Sequence, residues 1–244
     1  MTTRRSCVEC TVRGAHCFCS LNVEALGRLD RIGTQVKYAE RERVLDEGSV
    51  PDRVCVVCHG TLKLTTSSED GRLLLLRIAG PGDVLGLASV VKGTPYELTA
   101  EALETCEVRV IARQEFIEFM EEFREVGWNS AEEMAREYGS AVLSAKRLAL
   151  SDSAAGKLAG LLLDWGRKST EHGTLEPGLV NEIGVETALR FRMPLTHEEL
   201  GQMAGISRET VTRVLTKLKD EKLIEFEGER MIVRFPKKLE QMYC

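Results

Sequence analysis

The run from Pro194 to Phe235, PLTHEELGQMAGISRETVTRVLTKLKDEKLIEFEGERMIVRF, constrains this chain more than any other segment. Thr196 and Glu199 stand at capping-box spacing, which predicts a helix from His197 with Leu200 and Met203 turned inward. Gly205 suits the left-handed residue that closes such a helix, Ile206 plugs the core, and Ser207 caps the next helix through its hydroxyl. Ala204 is small enough for the two helices to cross closely. Two helices joined by so short a glycine-containing turn form a helix-turn-helix. On the second helix Val211, Val214, Leu215 and Leu218 supply a buried face and leave Arg208, Glu209, Thr212, Arg213 and Thr216 exposed. An arginine can donate two hydrogen bonds to guanine O6 and N7, and a glutamate can accept from cytosine N4. The first turns of such a helix meet the floor of the DNA groove. The candidate DNA-binding set is therefore Thr196, Ser207, Arg208, Glu209, Thr212, Arg213 and Lys217, with Lys219 further along for phosphates. Past Leu223 and Ile224, the alternation around Gly228, with Phe226, Met231, Val233 and Phe235, predicts a β-hairpin and hence a winged helix. A merely solvated, charged helix is the bland alternative. Agreement of cap, turn, core and reader positions in one stretch argues against it.

The remainder of the 244 residues, 43% hydrophobic and 29% charged, is ample for a buried core and for roughly two domains. Disordered and collagen-like chains are excluded. No apolar run reaches the ~18 residues of a membrane span, and the opening MTTRRSCVEC lacks a signal-like apolar stretch, so the expectation is a soluble cytoplasmic protein with no membrane partner. With 33 Lys plus Arg against 38 Asp plus Glu, any DNA contact must come from a local basic surface. From about Val36 to Arg113, short apolar runs such as Val54 to Val57, Leu73 to Ile78 and Val108 to Ile111 alternate with glycines, which reads as a β-barrel or β-roll. Trp128, Ala131, Ala135, Tyr138, Val142, Ala145 and Ala149 then follow a 3,4 spacing that makes one helical seam, suited either to a partner helix or to the β-domain. A further helix is expected over about Ala154 to Arg167, with Leu158, Leu161, Leu162 and Trp165 on one face, and a loop over Glu171 to Gly184.

These motifs together resemble the Crp/Fnr family of bacterial transcription factors over nearly the whole chain. Thr196 to Leu200, then Gly205 to Val211 and Arg213, look like that family's helix-turn-helix, including its Arg-Glu-x-x-x-Arg reader. Gly48, Gly60, Gly82-Asp83 and Gly86 resemble its cyclic-nucleotide-binding-type β-roll, and the seam helix its dimerisation helix. The resemblance implies an α+β fold in four parts: a cysteine-rich segment (1–20), a cupin-like β-roll sensor domain (21–125), a dimerisation helix (126–150) and a winged helix-turn-helix (151–244). It further implies a homodimer, with Arg208, Glu209 and Arg213 reading TGTGA-type half-sites one helical turn apart, and RNA polymerase as partner if the protein is an activator.

Two familiar inputs are weighed for such a fold, with another small ligand in the β-roll as the alternative to both. Relatives that bind cyclic AMP carry a Glu after the Gly-Asp turn and an Arg-Ser or Arg-Thr pair for the phosphate. Here the stretches are Gly86-Leu87-Ala88-Ser89 and Tyr96-Glu97-Leu98-Thr99-Ala100, which set an acid where the phosphate's cation should be, so no cyclic AMP is expected. The Fnr-like input is an oxygen-sensing iron–sulfur cluster held by N-terminal cysteines and one on the roll. Four of the eight cysteines, Cys7, Cys10, Cys17 and Cys19, fall in the first twenty residues. Four thiolates suit an iron–sulfur cluster and also tetrahedral zinc, with free thiols as the third possibility. The ligands are Cys7, Cys10, Cys17 and Cys19, or three of these with Cys106. Cys106 itself is slightly displaced from the family's roll cysteine, and Arg109 stands closer to that place.

Cys55-Val56-Val57-Cys58-His59 spells a c-type haem attachment motif and alone would suggest a metal or haem electron carrier. On a strand, Cys55 and Cys58 point to opposite faces, which argues for a buried or free thiol instead. No Ser-His-Asp grouping, P-loop or dinucleotide fingerprint appears, and His16, His59, His172 and His197 have no ligand spacing, so an enzyme is not expected.

Overall fold

The computed structural model describes residues 6–11, 17–171, 188–228 and 230–243. It divides into two compact units, Met1–Ala141 and Val142–Cys244. Most of the loop expected over Glu171 to Gly184 lies outside the described residues.

The first unit opens with α1 (Val23–Ile32), followed by β1 (Gly33–Tyr38), β2 (Arg43–Leu45), β3 (Arg53–His59), β4 (Leu62–Ser67), β5 (Leu73–Ala79) and β6 (Val84–Leu85). A short α2 (Leu87–Lys92) leads to β7 (Thr99–Ala102), β8 (Cys106–Ala112), α3 (Arg113–Glu122) and the long α4 (Arg124–Leu150). The strands form two antiparallel four-stranded sheets in the orders β1-β8-β3-β6 and β2-β7-β4-β5. Val54, Val57, Leu62, Leu64, Val108 and Ile111 are buried in the roll they make. Strand parity assigns the faces, because successive side chains alternate and cross-strand partners share a side. Val56 pairs with Arg109, so these two project from one face while Cys55 and Val57 project from the other; the register then shifts between Val57 and His59, at Cys58.

Helix α1 is absent from the sequence reading, although Asn22 caps it by accepting a hydrogen bond from the Ala25 backbone N–H. Two buried phenylalanines of α3, Phe116 and Phe119, join the roll's hydrophobic core. Helix α4 starts at Arg124, two residues before the expected boundary, and buries Val126, Ser130 and Glu133. Its seam faces the other way: Trp128 is 67% and Tyr138 74% exposed. Ala131, Ala135, Ala145 and Ala149 are exposed too, and Val142 is half-buried. Within the first unit, Trp128, Ala131, Ala135 and Tyr138 therefore do not pack on the β-domain, one of the two readings the spacing allowed.

The second unit contains the remainder of α4, α5 (Ala154–Glu171), β9 (Leu189–Arg192), α6 (His197–Ala204), α7 (Arg208–Asp220), β10 (Ile224–Glu227), β11 (Arg230–Val233) and α8 (Pro236–Tyr243). Helix α5 runs four residues past its expected end at Arg167. The predicted hairpin is β10–β11, with Phe226 opposite Met231, and β9 adds an unforeseen third strand to it. Leu158, Leu161 and Leu162 of α5 are buried, as are Leu200, Val211, Leu215 and Leu218 of the helix pair. Among the described residues no helix is long and apolar enough to cross a membrane.

Candidate nucleic-acid interface and cysteine site

The helix-turn-helix is assembled by local chemistry at every joint. Thr196 Oγ1 accepts from the Glu199 backbone N–H at 3.2 Å, and the Glu199 carboxylate accepts from the Thr196 backbone N–H at 2.9 Å, so the capping box is complete. Gly205 closes α6 at φ 64°, a conformation only glycine adopts without strain. Ser207 then caps α7 by accepting from the Thr210 backbone N–H at 3.2 Å. A residue the sequence reading passed over, Gly201, is required by proximity: a Cβ there would lie 2.6 Å from the Ile206 carbonyl oxygen.

Arg208, Glu209, Thr212, Arg213, Thr216, Lys217 and Lys219 are all exposed, on the face of α7 opposite buried Val211, Val214, Leu215 and Leu218. Glu209 is held below the usual carboxylate range by its own backbone N–H and by the Ser207 hydroxyl, so at neutral pH it is ionised and acceptor-only. The Thr212 hydroxyl is hydrogen-bonded to His197 Nδ1 at 2.9 Å and fixes the register of α6 on α7. Thr196 and Ser207 spend their hydroxyls on capping. Lys217 sits 5.1 Å from the Tyr243 ring centroid and 3.9 Å from Glu221, so a phosphate must compete with these partners for it.

The second constellation lies in the first unit. Cys7, Cys10, Cys17 and Cys19 line one cavity, together with Cys58, Arg109, Gly82, Leu29, Val56 and Val57. The chain is pinned there by specific contacts. Cys7 donates its backbone N–H to Asp30 at 2.9 Å. Phe18 is fully buried with its ring 6.0 Å from that of Phe116. Asn129 of α4 donates to the carbonyls of Phe18 at 3.0 Å and Ser20 at 3.1 Å, on either side of Cys19. Gly82, at φ 96°, gives Cys17 its place, since a Cβ there would lie 2.9 Å from Cys17 Cβ.

Cys106 is not part of this group, which corrects the alternative ligand set. It stands three residues from Arg109 on β8, an odd spacing that turns it to the opposite face. Its thiol donates to the carbonyls of Thr61 at 3.3 Å and Glu104 at 3.2 Å. Cys58, read from sequence as a buried or free thiol, is the roll cysteine that lines the cavity. Cys55 is fully buried in the core, away from it, so the haem motif does not form one site.

Arg109 is 2% exposed. Its guanidinium reaches Asp30 at 3.2 Å and donates to the Gly33 carbonyl at 3.2 Å. Gly33 must lack a side chain, because a Cβ would fall 2.5 Å from Arg109 Cγ. Burial pushes the Cys7 thiol up to about 12, with Arg109 pulling against it. Burial likewise raises Cys58, again opposed by Arg109. Cys19 is raised by its hydrogen bond with Cys17 and by burial. Cys7, Cys19 and Cys58 are therefore protonated at neutral pH, and any of them that binds a metal must give up its proton. Among the described residues no three His, Cys, Asp or Glu side chains are grouped to hold a metal ion, although five thiols surround one space.

The β-roll differs from a phosphate cradle where relatives take cyclic AMP. Tyr96 is buried, its hydroxyl donating to the Arg53 carbonyl at 2.6 Å and accepting from the Arg53 backbone N–H at 3.1 Å. Its ring lies against Gly86, where a Cβ would be 2.7 Å away. Glu97, expected to face a phosphate, is instead exposed and 3.8 Å from Lys92.

Comparison with known proteins agrees with both halves. Residues 35–123 match the family described as cyclic nucleotide-binding domain, and residues 156–242 match the Crp-like helix-turn-helix domain. The chain is 27% identical to the transcriptional activatory protein AadR of Rhodopseudomonas palustris, over 96% of this chain and 91% of that protein. It is 28% identical to a CRP-like cAMP-activated global transcriptional regulator of Mycobacterium tuberculosis, over 88% of this chain and 91% of that one. In fold it is similar to FixK2 from Bradyrhizobium japonicum, with TM-score 0.72 and 23% identity, covering 87% of this chain and 98% of that one.

Proposed function

This chain belongs to the Crp/Fnr family of transcription regulators, and from that basis we propose that it binds a palindromic promoter site as a homodimer and tunes its affinity for that site through a cluster held by its cysteines. The observation that carries the DNA reading is the exposed Arg208, Glu209, Thr212 and Arg213 face of a helix capped by Ser207 and locked to its neighbour by His197. Two copies of α4, each presenting Trp128, Ala131, Ala135, Tyr138, Val142, Ala145 and Ala149, would place two such helices on one duplex. An activator of this kind would also touch RNA polymerase.

Five thiols, Cys7, Cys10, Cys17, Cys19 and Cys58, line the cavity, and we read it as an iron–sulfur site ahead of the tetrahedral zinc that four thiolates would also suit. Such a cluster supplies redox- and oxygen-sensitive chemistry when bound. This chain's own part is to hold Cys7 through Asp30, to make room for Cys17 at Gly82, and to cover the site with Phe18. The link to DNA runs through Asn129, which grips the Phe18–Ser20 backbone one residue from Trp128 of the seam. Movement of the cysteine segment thereby biases the dimer helix and the spacing of the two readers. Cyclic AMP is set aside because Tyr96 fills the space beside Gly86 and no Arg-Ser pair faces it.

The test is light scattering of the full chain followed by a mobility shift on a duplex carrying two TGTGA half-sites as an inverted repeat. A dimer that retards this duplex selectively over a scrambled one, with affinity falling as salt rises, is the expected result. A monomer, or equal affinity for both duplexes, would overturn the reading.

A further inference from the structure

We propose that Cys58, on β3, is the ligand that the β-roll contributes to the cluster, and that Arg109, on the neighbouring strand β8, is the buried cation that offsets the cluster's charge. The inference rests on the cluster reading above and adds the roll's two residues to it. Together they replace the single β8 cysteine that the resemblance implied, with Cys7, Cys10 and Cys17 as the N-terminal ligands.

Three independent features converge on this assignment. First, Cys58, at the register shift between Val57 and His59 of β3, lines one cavity together with Arg109 of β8 and the N-terminal cysteines. The only other β8 candidate, Cys106, points the opposite way with its thiol on two carbonyls. Second, Asp30 ties the pieces together: it accepts from the Cys7 backbone N–H at 2.9 Å and pairs with Arg109 at 3.2 Å. The cation and the first N-terminal ligand are thus held by one carboxylate. Third, Gly33 and Gly82 each leave a gap that a Cβ would fill, one taken by the Arg109 side chain and the other by Cys17.

Charge explains why an arginine belongs where a ligand might have stood. Each thiol that binds iron releases its proton to solvent, and the bound sulfurs bring net negative charge into a site that shields it poorly. A guanidinium keeps its proton under all these conditions and can donate to sulfur while still paired with Asp30. With Arg109 taking the β8 position, the fourth thiolate comes from the adjacent strand. Cys19, next to Cys17, is then dispensable as a ligand.

The test uses the full chain, reconstituted anaerobically with ferrous iron and sulfide, and compares wild type with Cys58→Ser, Cys106→Ser and Cys19→Ser. The readouts are iron and sulfide per chain, the visible absorption spectrum and the electron paramagnetic resonance signal after dithionite reduction. Cys58→Ser is expected to hold less than half the wild-type iron or to lose it at least tenfold faster in air, while Cys106→Ser and Cys19→Ser match wild type. If wild type itself takes up no iron and sulfide, the cluster reading fails and this inference with it. If wild type loads and Cys58→Ser loads identically, the Cys58 assignment alone is wrong. A second measurement needs no variant: alkylation mapped by mass spectrometry on wild type before and after chelation of iron. Protection of Cys58 that chelation removes is expected, and equal labelling of Cys58 in both states would contradict it.

Discussion

Asp30 Oδ1 lies 3.2 Å from Arg109 Nη2, and the same carboxylate accepts from the Ser6 hydroxyl at 2.8 Å and the Cys7 backbone N–H at 2.9 Å. One acid on α1 therefore fastens the N-terminal cysteines to the outer face of the β-roll. Breaking a buried ion pair by removing one partner costs about 3–5 kcal/mol. Asp30 is itself partly exposed, which places Asp30→Ala below that range. The variant should alkylate faster than wild type at Cys7 and Cys58 but not at Cys55. Unchanged rates at Cys7 would show that Asp30 does not hold the segment.

Asn129→Ala removes two side-chain hydrogen bonds to the Phe18 and Ser20 carbonyls, each worth about 0.5–1.5 kcal/mol. Iron content should stay at the wild-type level, because Asn129 touches no thiol in the cavity. The difference in DNA affinity between the anaerobic and air-exposed protein should shrink. A variant that keeps the full difference would place the coupling elsewhere.

Arg213→Ala should weaken binding to the palindromic duplex by roughly 1–3 kcal/mol per half-site and relax selectivity at one base pair of each. Thr196→Ala offers the contrast, since it loses a cap worth about 1 kcal/mol of stability and leaves base selectivity intact. Competition assays on duplexes substituted one pair at a time distinguish the two. Equal loss by Arg213→Ala on scrambled DNA would contradict direct reading of bases.

Glu133 of α4 is 2% exposed, with Arg77 of β5 at 4.0 Å and Arg136 also paired to it. Burial pushes its carboxyl above the ordinary value, against the pull of both arginines. Arg77 is further paired with Asp83 at 2.9 Å and Glu137 at 2.8 Å, so it remains compensated if Glu133 is neutral. A carboxyl whose value rises on folding favours the folded state below its unfolded value, about 4.3, and that contribution is lost as pH rises through the folded value. Glu133→Gln should abolish this loss. Its denaturation midpoint should therefore gain on wild type from pH 4 toward neutrality, and a difference independent of pH would contradict the assignment.

How much of this was legible in the sequence depended on whether the signal was local. The DNA-reading unit could be read residue by residue, because Thr196, Glu199, Gly205 and Ser207 act on backbone groups only a few positions away. The seam of α4 was legible as a periodicity, but which way it faced was decided by Val126, Ser130 and Glu133 turning to the roll. The cysteine site was half legible. Alternation on β3 put Cys55 in the core, but the register shift at Cys58 breaks that alternation, and nothing local told which face the N-terminal segment would cover. That depends on Phe18, Asp30 and Gly82, which are distant in sequence and carry no motif. Helix α8, as short as α6, lacks the capping box that marked α6, and β9 has only four residues to pair.

The decisive measurement is fluorescence anisotropy of the full chain on the TGTGA palindrome, made on one anaerobically reconstituted sample before and after exposure to air, with iron and absorbance followed in parallel. Loss of the visible absorption together with at least a tenfold fall in affinity, while the scrambled duplex shows no such change, is the predicted result. An affinity that does not move as the iron is lost would contradict cysteine control of DNA binding.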